Sequence, residues 1–486
     1  MTSTPTARDL TLAQILERQR QAFLADPQPG AAVRRDRIHR LKQLVLDNAA
    51  ELTEAMREDY GSRPETFSTL TDIASSIPDL DHQRAHVRKW MRPTRVSRAL
   101  EAVGFTQQVR HDPKGVVGII GPWNFPLYLT IVPAGSALGA GNRVMMRPSS
   151  VTARTTEVLC RRAPEYFALD ELAVAGPEHG RGSDFSTLAF DHLFFTGSPG
   201  VGRSVARDAA ENLTPVTLEL GGKNPVLVDT SADIDRAARS IASARMVNGG
   251  QVCMCPDYVF VPRDRLDTFC DTVLDQWRTT LPAIIGNPEY TAIVNDSNYE
   301  RIVVLVDDAV AKGARRRDVA PAAERLPDPV TRKIAPTLLT GVTPDMEIDS
   351  DEVFGPVLTV FPYDTLDDAV RYVTDRPSPL VLYWYGEKNE RFEVVADRTR
   401  SGSIYGNDFG IGMASSAIPF GGVGNSGMGG YHGHYGFRTF THERAVALHS
   451  FDADVSQLMV PPFTRGKKRL ASAYLGAMRA RTRLRL

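Results

Sequence analysis

A chain of 486 residues with 42% hydrophobic and 24% charged positions has the balance of a soluble globular protein. It is too long for one small core, so two or three lobes are expected. A formal net charge of −1 gives no bias towards nucleic acid, and no apolar run approaches the length of a bilayer span. Cys160, Cys253, Cys255 and Cys270 are too few for a disulfide framework, and Cys253 and Cys255 lack zinc-site spacing and partners. No metal is expected. With no signal-like apolar stretch at the start, a cytoplasmic protein in a reducing compartment is the expectation.

Along the chain, Ile38, Leu41, Val45, Ala49, Leu52 and Met56 recur at three- and four-residue spacing, which predicts a helix over 34–60. Gly61 stops it in the manner of a helix C-terminal glycine. A second helical stretch is predicted over 66–91, closed by Pro93. From 115 the pattern changes to short apolar runs punctuated by Gly and Pro. Buried strands are predicted over 115–121, 144–146, 193–195 and 225–228, with helices over 127–140, 151–168 and 201–212 between them. Such alternation implies an α/β fold with a parallel sheet covered on both faces. A helix over 232–246 and a strand over 257–262 start a second α/β lobe near 219–225. The glycine-rich segment 419–436 is expected to be a loop held by its surroundings. Residues 465–486 carry eight Arg or Lys and no acid. With Leu470, Tyr474, Leu475 and Met478 at partly helical spacing, they could touch an anionic membrane surface, although a solvated tail is the plainer expectation.

Several residues are candidates for chemistry. Cys253 lies in Asn-Gly-Gly-Gln-Val-Cys (248–253), a glycine-rich turn where a thiolate could attack a carbonyl; a buried small hydrophobe is the structural alternative. Asn124 follows a predicted strand within Pro-Trp-Asn-Phe-Pro (122–126). It is either an oxyanion donor or an Asx turn. Glu219 in Val-Thr-Leu-Glu-Leu-Gly-Gly-Lys (216–223) is an acid among strand-forming residues, either a general base or an ion-pair partner of Lys223. Gly197–Gly202 (Gly-Ser-Pro-Gly-Val-Gly) joins a strand to a helix, where a helix N-terminus can meet a phosphate, but it is a weak dinucleotide fingerprint. Asp-Glu-Val-Phe-Gly-Pro (351–356) is an acidic turn that could hold a ribose.

Taken together and in order, Pro-Trp-Asn-Phe-Pro, Phe-Thr-Gly-Ser, Leu-Glu-Leu-Gly-Gly-Lys, Gly-Gln-Val-Cys, Glu-Val-Phe-Gly-Pro and Pro-Phe-Gly-Gly-Val-Gly-Asn-Ser-Gly resemble the aldehyde dehydrogenase superfamily. The resemblance runs from about 34 to 450. Cys-Pro-Asp-Tyr (255–258), Ala-Glu-Asn-Leu-Thr-Pro-Val-Thr (210–217) and Gly-Met-Gly-Gly-Tyr-His-Gly (427–433) look most like its class 3 branch, and within it the coniferyl aldehyde dehydrogenases.

The resemblance implies a Rossmann-type cofactor lobe (1–92 and 113–218), an α/β catalytic lobe (219–409) and a small bridging or oligomerisation element (93–112 and 410–450), followed by the basic tail 451–486. It implies a homodimer with an aldehyde substrate and no nucleic-acid partner. It further implies that Cys253 attacks the aldehyde, that the Asn124 side chain and the Cys253 N–H hold the oxyanion, and that hydride passes to NAD or NADP. Glu219 then activates water against the thioester. For the cofactor it implies Gly197, Ser198 and Gly202 at the pyrophosphate, Glu352 on the nicotinamide ribose with Phe354 nearby, and Trp123 lining the cleft. Where the family has Lys-Pro-Ser-Glu this chain has Arg-Pro-Ser-Ser (147–150). Arg147 keeps the positive charge and Ser150 removes a carboxylate that would repel a 2′-phosphate, so acceptance of NADP is expected. A CoA-acylating dehydrogenase and a catalytically silent binding protein are the alternative functions.

Overall fold

The structure is a computed structural model and describes residues 10–102, 104–413, 415–450 and 454–483. The chain forms two compact units, one of residues 1–92 with 111–443 and one of 93–110 with 444–486.

The larger unit is built on two sheets. In the first, the strands run in the order Gly427–Met428, Val216–Leu220, His192–Gly197, Val116–Ile120, Arg143–Arg147, Leu172–Val174. All its pairings are parallel except that of the two-residue edge strand Gly427–Met428. These strands are almost wholly buried, which is why they read as continuous apolar runs. After Val116–Ile120 the chain adds two strands on one side, then returns to add His192–Gly197 and Val216–Leu220 on the other. Strand order therefore reverses beside Val116–Ile120. The carboxyl ends there open a crevice where doubly wound sheets bind ligands.

The second sheet has the order Arg315–Asp318, Thr337–Thr340, Val357–Tyr363, Pro256–Pro262, Asn224–Val228, Val381–Tyr385, Ser403–Gly406, parallel but for the Arg315–Asp318 edge. Fold class is thus α/β, as the alternation of short strands and helices implied.

Four local expectations change. The helix over 34–60 is two, Ala31–Asp47 and Ala49–Tyr60. Asn48 divides them because its side-chain amide donates to the Leu44 carbonyl at 2.9 Å, competing with the backbone. Gly61 does close the second, at φ 73°. The stretch over 66–91 contains a π-helical turn, Thr69–Ala74, between Glu65–Ser68 and Ser75–Trp90. The 419–436 segment is more ordered than a loop. It holds Gly427–Met428, which pairs with Leu218 and Glu219, and the start of the helix Gly433–Thr439. Gly422 is required there, since a Cβ would run into the Ser426 carbonyl. Lastly, residues Arg465–Arg483 of the basic tail form a helix that buries no side chain.

A third sheet has three strands, with Phe105–Pro113 between Thr94–Arg95 and Thr441–His449, and most of its residues fall in the smaller unit. Thr441–His449 is an edge strand, nine residues long and mostly exposed.

Candidate active site

The crevice at the reversal of strand order is a cleft of about 590 Å³. Of the eleven residues singled out from sequence, ten line it: Trp123, Asn124, Arg147, Ser150, Gly197, Ser198, Glu219, Cys253, Glu352 and Phe354. Gly202 does not. It sits in the first turns of the helix Pro199–Ala210, where a Cβ would come within 2.6 Å of Leu220, so it is a packing glycine under that helix.

Cys253 is placed by an unusual turn. Asn248, Gly249 and Gly250 all take left-handed backbone angles, with φ of 53°, 61° and 77°. This reverses the chain after the helix Ile234–Met246 and leads it under the cleft. Gly250 must be glycine on two counts, because a Cβ there would also run into the Gly355 carbonyl. The segment is then fastened by side chains. Gln251 donates to the carbonyls of Asn248 (2.8 Å) and Ala292 (3.1 Å) and accepts from the Val294 N–H (2.9 Å). Asn224 donates to the carbonyls of Cys253 (2.8 Å) and Cys255 (3.0 Å), and the Tyr383 hydroxyl donates to that of Met254 (2.6 Å). Cys253 is partly exposed to the cleft while Cys255 is buried, its thiol 3.5 Å from the Ala244 carbonyl. Desolvation, then the carboxyls of Glu352 and Glu219, push the Cys253 thiol up to about 12. At rest it is a neutral thiol.

Asn124 is held from both ends. Its side-chain amide donates to the Gln251 carbonyl at 3.2 Å. Its backbone carbonyl accepts from Arg63 (2.9 Å), Asn248 (3.1 Å) and the Tyr60 hydroxyl (3.3 Å). Arg63 is itself paired with Asp72 at 2.6 Å, both side chains fully buried. Asp72 projects from the π-helical turn and accepts the N–H groups of Leu127 (3.1 Å) and Tyr128 (3.2 Å), which begin the helix Tyr128–Ala140. Nothing in the apolar periodicity marked Tyr60, Arg63 or Asp72.

Glu219 is 3% exposed, and neither carboxyl oxygen has a hydrogen-bond partner among the described residues. The ion pair with Lys223 is not formed, because that lysine pairs with Asp257 and donates to the Asp351 carbonyl at 3.0 Å. Burial pushes the Glu219 carboxyl well above its ordinary range. An unpaired buried acid is costly to keep, and this one lines a cleft with a cysteine.

Glu352 is pushed up to about 8 by desolvation and by Asp257. Its turn is set by Asp257, which accepts the Val353 N–H at 2.9 Å, and by Arg301, which donates to the carbonyls of Glu352 (3.1 Å) and Val353 (2.6 Å). Phe354, at φ 47°, meets Trp123 edge-on with ring centres 5.3 Å apart. Arg301 also lines the cleft and carried no signal in the sequence.

A dinucleotide fits the remaining surface. Ser198 caps the twelve-residue helix Pro199–Ala210, whose N-terminal amides face the strand ends. The buried Thr196 hydroxyl beside it has no partner among the described residues. A Cβ on Gly197 would come within 2.5 Å of the Phe195 ring, and one on Gly221 would strike the Glu352 carboxyl. Arg147 corrects part of the expectation for its role. Its guanidinium is committed to the carbonyls of Ala175 (3.2 Å), Gly176 and Gly180 (2.5 Å), so although the residue lines the cleft, much of its donor set holds the 175–180 loop.

A doubly wound sheet with a cysteine, a carboxamide and a buried acid around a nucleotide-sized cleft defines a dehydrogenase-type site. The aldehyde dehydrogenase family model matches residues 1–446, and the chain belongs to that family. It is an NAD(P)-dependent oxidoreductase acting on the aldehyde group. It is 42% identical over 476 residues to a probable coniferyl aldehyde dehydrogenase of Caulobacter vibrioides, covering 96% of this chain and 98% of that one. A coniferyl aldehyde dehydrogenase of Pseudomonas sp. strain HR199 is 39% identical, with 96% of each chain covered. Among solved structures, Staphylococcus aureus AldH in a substrate-bound state superposes with a TM-score of 0.88 at 31% identity, over 96% of this chain and 100% of that one.

Proposed function

We propose that this enzyme oxidises an aromatic, coniferyl-type or medium-chain aldehyde to the carboxylic acid through a covalent intermediate on Cys253. The observation that carries the reading is a cysteine, a second amide donor and an unpaired buried acid on one cleft wall system. The Cys253 thiol gives its proton to solvent and its sulfur bonds to the aldehyde carbon, giving a thiohemiacetal. The Asn124 amide, oriented by Gln251, and the Cys253 backbone N–H stabilise the oxyanion. When bound, NAD or NADP supplies the acceptor that converts this adduct to a thioester. Glu219, made more basic by burial, takes a proton from water as the water oxygen attacks the thioester carbon. The carbon–sulfur bond breaks, the acid leaves, and the proton taken up by Glu219 returns to the Cys253 sulfur.

For the cofactor, Gly197 and Ser198 with the following helix would take the pyrophosphate, and Glu352 the nicotinamide ribose between Trp123 and Phe354. Ser150 stands where the family has a glutamate, and the cationic Arg147 lines the same cleft, so NADP is accepted on terms comparable with NAD. Residues 1–92 with 113–218 serve as the cofactor lobe and 219–409 as the catalytic lobe. The bridging element, 93–112 with 410–450, pairs two copies as a homodimer. The long exposed edge strand Thr441–His449 supports that, since its unpaired backbone groups favour strand addition. The preference for flat aldehydes is supported by Phe420 and Tyr431 on the cleft wall and by the names of the relatives above.

The test is formation of NADH or NADPH with a panel of aldehydes, wild type against Cys253→Ala, with and without CoA. Cysteine-dependent turnover without CoA is expected. Turnover only with CoA would assign the acylating reaction instead, and no turnover at all would leave a binding role.

A further inference from the structure

The helix Arg465–Arg483 belongs to the smaller unit. It runs for 19 residues and buries none of its side chains among the described residues. Leu470, Tyr474 and Met478 succeed each other at four-residue spacing, and Ala471, Leu475 and Ala477 widen the same face. These large side chains are exposed: Leu470 54%, Tyr474 67%, Leu475 51% and Met478 38%. Arg465, Lys468, Arg469, Arg479 and Arg483 occupy the opposite arc. Lys467 and Arg481 fall at the two ends of the apolar face, where their long stems let the charged groups reach outward. The helix has no acidic residue. Just before it, Leu458, Met459, Val460 and Phe463 are about half or more exposed, a second apolar patch continuous with the first in sequence.

An apolar face this open needs a cover, and the charge says which. A second copy laid against the same face would set two helices of one sign side by side, with no acid on either to offset the repulsion. The chain as a whole is close to neutral, so the positive charge is a local concentration rather than a property of the surface. Apolar side chains flanked by one-sign basic charge match an interface that is apolar below and anionic above. The helix is not long and apolar enough to cross a membrane, and no helix among the described residues is. We propose that Arg465–Arg483 docks this enzyme in the plane of an anionic lipid surface, apolar face inward. A sparingly soluble flat or long-chain aldehyde would then be met where it concentrates.

The test is co-sedimentation of the full chain with vesicles of phosphatidylcholine alone and of phosphatidylcholine with an equal part of phosphatidylglycerol. Two variants accompany it, Leu470→Glu with Leu475→Glu on the apolar face and Lys468→Glu with Arg479→Glu on the basic arc. The expected result is partition into the anionic vesicles only, falling roughly tenfold or more in either variant. Raising salt from about 0.1 M to about 1 M should release the wild type, as the screening length drops from about 10 Å to about 3 Å. Turnover of a water-soluble aldehyde and the thermal midpoint should not change, because the substituted residues are exposed. Wild type remaining in the supernatant, or binding equally to both lipids, overturns the proposal. So does a variant that breaks the enzyme into monomers, which would assign the face to contact between copies.

Discussion

Replacing Arg63 by Met should show how Asn124, the proposed oxyanion donor, is held. Arg63 and Asp72 form an ion pair with both side chains fully buried, and Arg63 also donates to the Asn124 carbonyl at 2.9 Å. The guanidinium lies over the rings of Tyr60 (4.8 Å), Phe67 (5.1 Å) and Phe125 (5.7 Å), so Met keeps much of the apolar packing. What it removes is charge. Asp72 is then a buried carboxylate without its cation, a defect that costs about 3–5 kcal/mol. The double variant Arg63→Met with Asp72→Asn should cost markedly less than the sum of the single changes, because no charge is stranded. Denaturant unfolding of the four proteins measures the coupling directly. Asn124 also loses one charge-assisted hydrogen bond, worth about 1.5–3 kcal/mol, so kcat/KM should fall about tenfold or more in both Arg63 variants. A stability loss under about 1 kcal/mol for Arg63→Met, or strict additivity, would refute the account of a stranded charge. Full activity with lowered stability would refute the link to Asn124.

Three further outcomes are expected. In the cofactor-free enzyme, alkylation of Cys253 by iodoacetamide should climb with pH through neutrality without a plateau, because the thiol sits near 12. Glu352→Gln should speed that reaction above pH 8, where Glu352 is ionised and opposes the thiolate, and leave it little changed well below, where Glu352 is already neutral; mass spectrometry of the modified peptide reads both. Gly250→Ala should destabilise by about 2–4 kcal/mol and abolish most turnover, since the alanine is strained at φ 77° and its Cβ collides with Gly355; a wild-type unfolding midpoint would contradict this. Ser150→Glu should raise the NAD over NADP ratio of kcat/KM at least tenfold by placing a carboxylate near the 2′-phosphate, about 1.4 kcal/mol; strong NAD preference already in the wild type would count against the cofactor reading.

Composition and short-range pattern determined a good deal of this protein. Alternating buried strands and helices implied a parallel sheet covered on both faces, because such strands must be apolar throughout. The motifs located ten of the eleven cleft-lining candidates, since each lies at a strand end or tight turn where the chain has few alternatives. The sequence could not divide 34–60 at Asn48, where a side-chain amide outcompetes the backbone, nor foresee a π-helical turn under Asp72. It left Glu219 open between general base and partner of Lys223. Only the tertiary structure brought Asp257 to that lysine and left the acid alone in the cleft. The same holds for Arg147, whose donors are spent on carbonyls some thirty residues away, and for Gly202, which packs against a strand instead of a ligand. Residue type and local spacing state what a side chain is able to do. Which partner reaches it first depends on contacts far apart in the chain, and those exist only once the sheets have assembled.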